Sequence, residues 1–262
     1  MPASPDFRLS SIRYDPKSII DVVVAKIELL VLTVITLLLN TVALNAFYRA
    51  WGGEWLRQLD EMRWGPMLRE VGAFGVMVGI PFLALIIGAA GRNVMALGAD
   101  LTDPNALAGF TFPNWVRGVG TVCAVVVVVL LTLWLGARAA PRGQPWGMGW
   151  MGVRDAIYNE VHWTFYRAAP ALFLADPYWG VVIGAGLVLG EWFISSATEM
   201  APTTAEGRQY LTLRLACLFV SSFLYLATYN LWLMIVADAL ILLIGSRLLS
   251  GSWRLDAQRH SA

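Results

Sequence analysis

The chain has 262 residues, 58% of them hydrophobic and 14% charged, with a mean hydropathy of +0.62 and a formal net charge of +1. Soluble domains carry about 25% charged residues, so this composition excludes a soluble single-core enzyme and a disordered chain alike, and the charge balance offers no footing for a nucleic-acid partner. Two cysteines, Cys123 and Cys217, lie in apolar runs, and the two histidines are His162 and His260; this excludes a disulfide framework, a cysteine-ligated zinc site and a multi-histidine metal centre.

About 20 mostly apolar residues cross the hydrocarbon core as a helix. Residues 1–26 read as a polar N-terminal arm with no early apolar stretch, unlike a signal peptide. The first span is expected at 27–47. Residues 48–70 carry four arginines and four acids among Trp51, Trp55 and Trp64, which suits an interfacial segment or a solvated loop. The second span, 71–91, holds Gly72, Gly75, Gly79 and Gly88 with Pro81. Small residues let helices approach closely, so this span is expected to face protein. A loop over 92–117 follows, with turns expected at Asp103-Pro104-Asn105 and Phe112-Pro113-Asn114. The third span, 119–137, has no charge and is the most lipid-like.

A Gly-, Pro- and Arg-rich loop leads into the least ordinary helix, 155–175, which carries Glu160, His162 and Arg167. The fifth span, 178–197, is Gly-rich and holds Glu191. Residues 210–249 are almost continuously apolar and too long for one crossing, so two spans, 210–228 and 231–249, are expected around a turn at Thr228-Tyr229-Asn230. Asp238 lies inside the last span, and residues 250–262 form a polar tail. The fold class is therefore an all-α polytopic membrane bundle of about seven transmembrane helices. It is a single membrane domain over 27–249 whose partner is the lipid bilayer. Lys and Arg number six in the segments on the N-terminal side and twelve on the other, which places the C-terminus in the cytoplasm. The expected location is the plasma membrane of a prokaryote.

Ionisable groups at membrane depth cost about 2.5–3.5 kcal/mol each on insertion scales and usually face protein or a wet cavity. Glu160, His162, Arg167, Glu191 and Asp238 all fall in the C-terminal half, so a site belongs to 152–249. Glu160 and Arg167, seven apart, share a helix face and are read as a structural ion pair. His162 is about 200° round the helix from Glu160 at 3.6 residues per turn. Glu191 and Asp238 either contact a neighbouring helix, sit protonated, or converge with Glu160 and His162 as catalytic groups. No ligand spacing supports a metal, and no cofactor is expected.

Tyr166-Arg167-Ala168 and the run FVSSFLYLATYNLWLMIVADALILL resemble the CPBP family of CAAX-protease and bacteriocin-processing membrane proteins, over residues 150–249. The family's EExxxR motif ends in Phe-Arg-Gly. Its tyrosine, threonine, glycine-asparagine and leucine-tryptophan turn falls on Tyr225, Thr228, Asn230, Leu231 and Trp232. Anchored on Arg167, the paired glutamates fall on His162 and Trp163. A register slid by three puts Asn159-Glu160 there and Thr164 in the arginine's place. The histidine of the FxxxH motif falls on Glu191, and the final HxxxN motif on Asp238 and Leu242. In the family a glutamate activates water while the histidine and asparagine stabilise the oxyanion. Leu242 has no donor, and losing one such donor costs about 10²–10³ in rate. The resemblance thus implies a non-catalytic membrane protein that binds a partner protein, a peptide or a lipid on a CPBP-like scaffold. Two alternatives stand beside it. One is an active intramembrane protease with a rewired centre of Glu160, His162, Glu191 and Asp238. The other is a transporter component, since buried carboxyls and a histidine also suit proton relays.

Overall fold

The computed structural model describes residues 16–43, 58, 61–98, 106–139, 149–199 and 205–250. Over these residues it is an all-α bundle of seven long helices. Helix α1 runs Pro16–Leu38 and continues into a wide π-helical turn, Leu39–Ala43. Helix α2 is built of Gly65–Phe74, a second π-helical turn Gly75–Gly79, and Ile80–Ile86. Then come α3 (Phe112–Ala139), α4 (Gly149–Leu174), α5 (Pro177–Glu199), α6 (Ala205–Thr228) and α7 (Leu231–Ser250). A two-residue antiparallel hairpin, β1 (Ala106–Leu107) with β2 (Phe110–Thr111), precedes α3.

Six of these helices are long and apolar enough to cross a membrane: every one except α4. Their outward faces carry exposed aromatic and aliphatic side chains such as Phe82, Val128 and Phe219, as expected where the solvent is lipid. The chain is thus an integral membrane protein. Helix α4 is the seventh. Its charged residues take it below the apolarity of a spanning helix, and it lies at the centre, packed against α1, α2, α5 and α7. The face that water would otherwise solvate is covered by protein.

Segment 210–249 does form two antiparallel helices. Helix α6 ends at Thr228, and Tyr229 turns the chain with a left-handed φ of 51°. Such a conformation costs a non-glycine residue about 1–3 kcal/mol. Two contacts offset it. The Asn230 side chain caps α7, accepting from the Trp232 N–H at 3.0 Å and the Leu233 N–H at 3.3 Å, and the Tyr229 ring packs on Tyr225, centroids 4.8 Å apart. The segment after α2 folds over this turn. The Leu231 N–H donates to the Ala96 carbonyl at 2.8 Å, and the Tyr225 hydroxyl to that of Val94 at 2.9 Å.

Two expectations fail. Phe112-Pro113-Asn114 is the start of α3, not a turn, because proline lacks only an N–H that a first helical turn leaves unused. Helix α2 faces protein only in part, touching α1 and α4 while most of its surface looks outward. Only 12% of its span is buried, against 50% for α7, and Gly72 and Gly75 have nothing within 4 Å of where a Cβ would stand. Of the expected interfacial tryptophans, Trp64 stands exposed just before α2; Trp51 and Trp55 lie outside the described residues, as does Asp103-Pro104-Asn105.

The glycines that bring two helix backbones together are in α5. A Cβ on Gly180 would meet the Ala171 Cβ at 2.6 Å and the Arg167 carbonyl oxygen at 2.8 Å. One on Gly184 would meet Arg167 at its Cγ (2.7 Å), Cα and N (both 3.0 Å). Helices α4 and α5 therefore touch along their backbones. Gly184→Ala should lower the melting midpoint in detergent, by an overpacking cost of about 1–3 kcal/mol. Gly186→Ala, on the same helix with open space around it, should leave the midpoint where it is. Equal midpoints for the two variants would refute the close contact.

Candidate functional site

Helix α4 sorts its polar residues onto two sides. A regular helix turns about 100° per residue, so Glu160 and His162 diverge, Glu160 and Arg167 nearly coincide, and His162 sits one turn below Tyr166.

On the first side α4 meets α6 and α7. Glu160, Arg167, Ser221 and Asp238 all have 0% exposure. Arg167 Nη1 donates to the Ser221 hydroxyl at 2.8 Å, and Ser221 donates on to Glu160 Oε2 at 2.7 Å. Arg167 Nη2 reaches the Ser222 hydroxyl at 3.4 Å, and the guanidinium carbon lies 5.5 Å from the centre of the Tyr225 ring. Glu160 and Arg167 form no direct salt bridge; the serine stands between them and relays the attraction as two hydrogen bonds. Asp238 lies beside Glu160 and Cys217, yet neither of its oxygens completes a hydrogen bond, nor does Glu160 Oε1.

On the other side α4 meets α1 and α5. His162 Nε2 lies 3.0 Å from Glu191 Oε2, and Asn40 Nδ2 lies 3.3 Å from the same nitrogen. The Tyr166 ring packs on the imidazole, centroids 4.2 Å apart. Its hydroxyl sits near Glu191 and Asn40 without completing a hydrogen bond. Nε2 holds at most one proton. With that proton it donates to Glu191; without it, its one lone pair accepts from Asn40. Asn40 is delivered by the π-helical turn at the end of α1, a distortion often found where a side chain must be re-aimed.

The four candidates Glu160, His162, Glu191 and Asp238 therefore do not converge. They divide into Glu160 with Asp238 and His162 with Glu191, separated by the body of α4. Among the described residues no group of three or more His, Cys, Asp or Glu could hold a metal ion. Arg214 of α6 stands near the second pair. It donates to Asn159 Oδ1 at 3.3 Å and lies over the rings of Trp192 (4.8 Å) and Tyr210 (5.1 Å). Toward one end of α4, Arg154 ties it to α2 through Glu70 at 2.6 Å while also holding Asp155 at 2.8 Å.

Asn40, Ser221, Ser222 and Cys217 are absent from a reading that counts only charges inside spans. The available signal was polarity of any kind: Asn40 is an amide in a run otherwise of aliphatic residues and threonines, and Ser221-Ser222 is a tandem of hydroxyls in a helix otherwise aliphatic and aromatic at that depth. No family model, curated protein or solved structure matches the chain.

Ser221→Ala should lower the melting midpoint by the equivalent of about 1–3 kcal/mol, because it strands a buried guanidinium and a buried carboxyl at once. Ser222→Ala, which removes one long contact, should cost less. If Ser221→Ala melts with the parent, the serine is not the bridge that the geometry describes.

Proposed function

We propose that the chain is a non-catalytic membrane helix bundle on a CPBP-like scaffold, holding a partner protein, a peptide or a lipid within the bilayer. The observation that carries this reading is the division of the four candidate groups into two buried pairs on opposite sides of α4. Peptide hydrolysis needs an activated water and donors for the developing oxyanion around one reacting carbon. Glu160 is spent on Ser221 inside the bundle, and the positions that the resemblance assigns to oxyanion donors hold Asp238, walled in by α4 and α6, and Leu242. With α4 counted as a crossing, the reading also keeps the C-terminus in the cytoplasm of a prokaryotic plasma membrane, on the side that then holds twelve Lys and Arg residues.

One observation favours a second reading, an intramembrane protease with its dyad exchanged. With the register anchored on Arg167, the family's glutamate and histidine positions fall on His162 and Glu191, and these two side chains meet at 3.0 Å. The pairing is the same with the residue types swapped, and Asn40 brings an amide to it. Against this reading, the imidazole nitrogen that faces Glu191 is already engaged, by Glu191 or by Asn40.

The two readings part on one assay. Purified protein in lipid nanodiscs is incubated with farnesylated C-terminal peptides and with a transmembrane peptide, and products are followed by mass spectrometry. We expect no cleavage above that of Glu191→Gln, while native mass spectrometry of the same sample shows a retained lipid, peptide or protein. Cleavage that vanishes in Glu191→Gln and in His162→Ala, with folding unchanged, would establish the protease and overturn the scaffold.

A further inference from the structure

The pair Glu160 and Asp238 has a role that neither reading above uses. Two carboxyls from α4 and α7 lie side by side with no exposure. The other polar groups around them are Arg167 on α4, Cys217, Ser221, Ser222 and Tyr225 on α6, and the Met234 sulfur on α7. Arg214, the next cation, is turned to Asn159 and to the rings of Trp192 and Tyr210.

The charges do not balance as drawn. Arg167 supplies one positive charge that cannot be given up, and two ionised carboxyls would leave one negative charge uncompensated in a water-poor interior. The hydrogen bonds do not balance either. Glu160 Oε2 receives Ser221, but Glu160 Oε1 and both Asp238 oxygens receive nothing. Buried polar atoms are rarely left so. One added proton meets both imbalances: it cancels the surplus charge, and it turns one acceptor into a donor aimed at the other carboxyl, which pairs two of the three oxygens. A metal cation settles them poorly. Hard cations prefer six or more oxygen ligands; here a guanidinium and two sulfurs share the space, and no metal-binding group is found among the described residues.

We propose that Glu160 and Asp238 form a proton-binding site within the membrane, one proton shared between the two carboxyls. Arg167, through Ser221, balances the remaining negative charge. This inference goes beyond the proposed function and holds whether or not the His162–Glu191 pair does chemistry.

Infrared spectroscopy of the full-length protein in lipid at neutral pH reads this directly. A protonated carboxyl has a carbonyl band separate from that of a carboxylate, and the band shifts when H₂O is exchanged for D₂O. The parent should show such a band, and both Glu160→Gln and Asp238→Asn should lose it, because either substitution leaves one carboxyl and one guanidinium. Protein grown with ¹³C-carboxyl aspartate or glutamate keeps the native sequence. In it the band should move with one of the labels or divide between the two, which keeps the test available if a variant does not accumulate. A parent spectrum without a protonated carboxyl that these labels move would overturn the proposal. So would a band that survives in either variant, since the proton would then not depend on the pair.

Discussion

A guanidinium buried at 0% exposure in a membrane bundle is the constraint on which most of this structure turns. Arginine does not shed its proton and its plane carries five donors, so its neighbours must supply acceptors, charge and room. The acceptors are Ser221 and Ser222, one helix away. The charge is Glu160, two turns back on the same helix, reached through the serine. The room comes from Gly184, whose missing side chain lets α5 lie against the backbone and stem of Arg167. With the Met234 sulfur of α7 4.0 Å from Nη1, three helices are thereby fitted to one residue of a fourth.

That fourth helix, α4, inverts the usual relation between apolarity and burial. The helices that meet the length and hydropathy of a membrane span form the periphery, and the one that does not meet it lies innermost. In water, polar residues migrate outward; in a bilayer the outside is hydrocarbon, so ionisable side chains find partners only inward. The two sides of α4 then work separately. One is locked by Arg167 and the hydroxyls of α6. The other holds His162 and Glu191 against an amide from the far end of the sequence.

Much of the architecture was legible in the amino-acid order, and the reason is physical. Long apolar runs have few alternatives to helix in a membrane, so the spans and the Tyr229-Asn230 reversal could be read from hydropathy and turn chemistry. The divergence of Glu160 from His162 followed from helix pitch alone. What a single sequence does not carry is which helices are neighbours. The meeting of His162 with Glu191 depends on α4 packing on α5, and the part played by Asn40 depends on α1 reaching the same place from more than a hundred positions away. Ser221 escaped notice for a different reason: a hydroxyl costs little to insert, so hydropathy gives no sign that it bridges two charges.

The π-helical turn Gly75–Gly79 bears on how α2 is to be read. A wide turn winds in one residue more than an α-helical turn of the same span, which slips the rotational phase by about 100°. Gly72 and Gly79, seven apart, would stand on one stripe of an uninterrupted helix; across this turn they stand about a quarter-turn apart. The row of small residues is therefore a row only on paper. Helix α2 is two short helical pieces in different phase, and a single helical wheel drawn through both assigns the later piece to the wrong side.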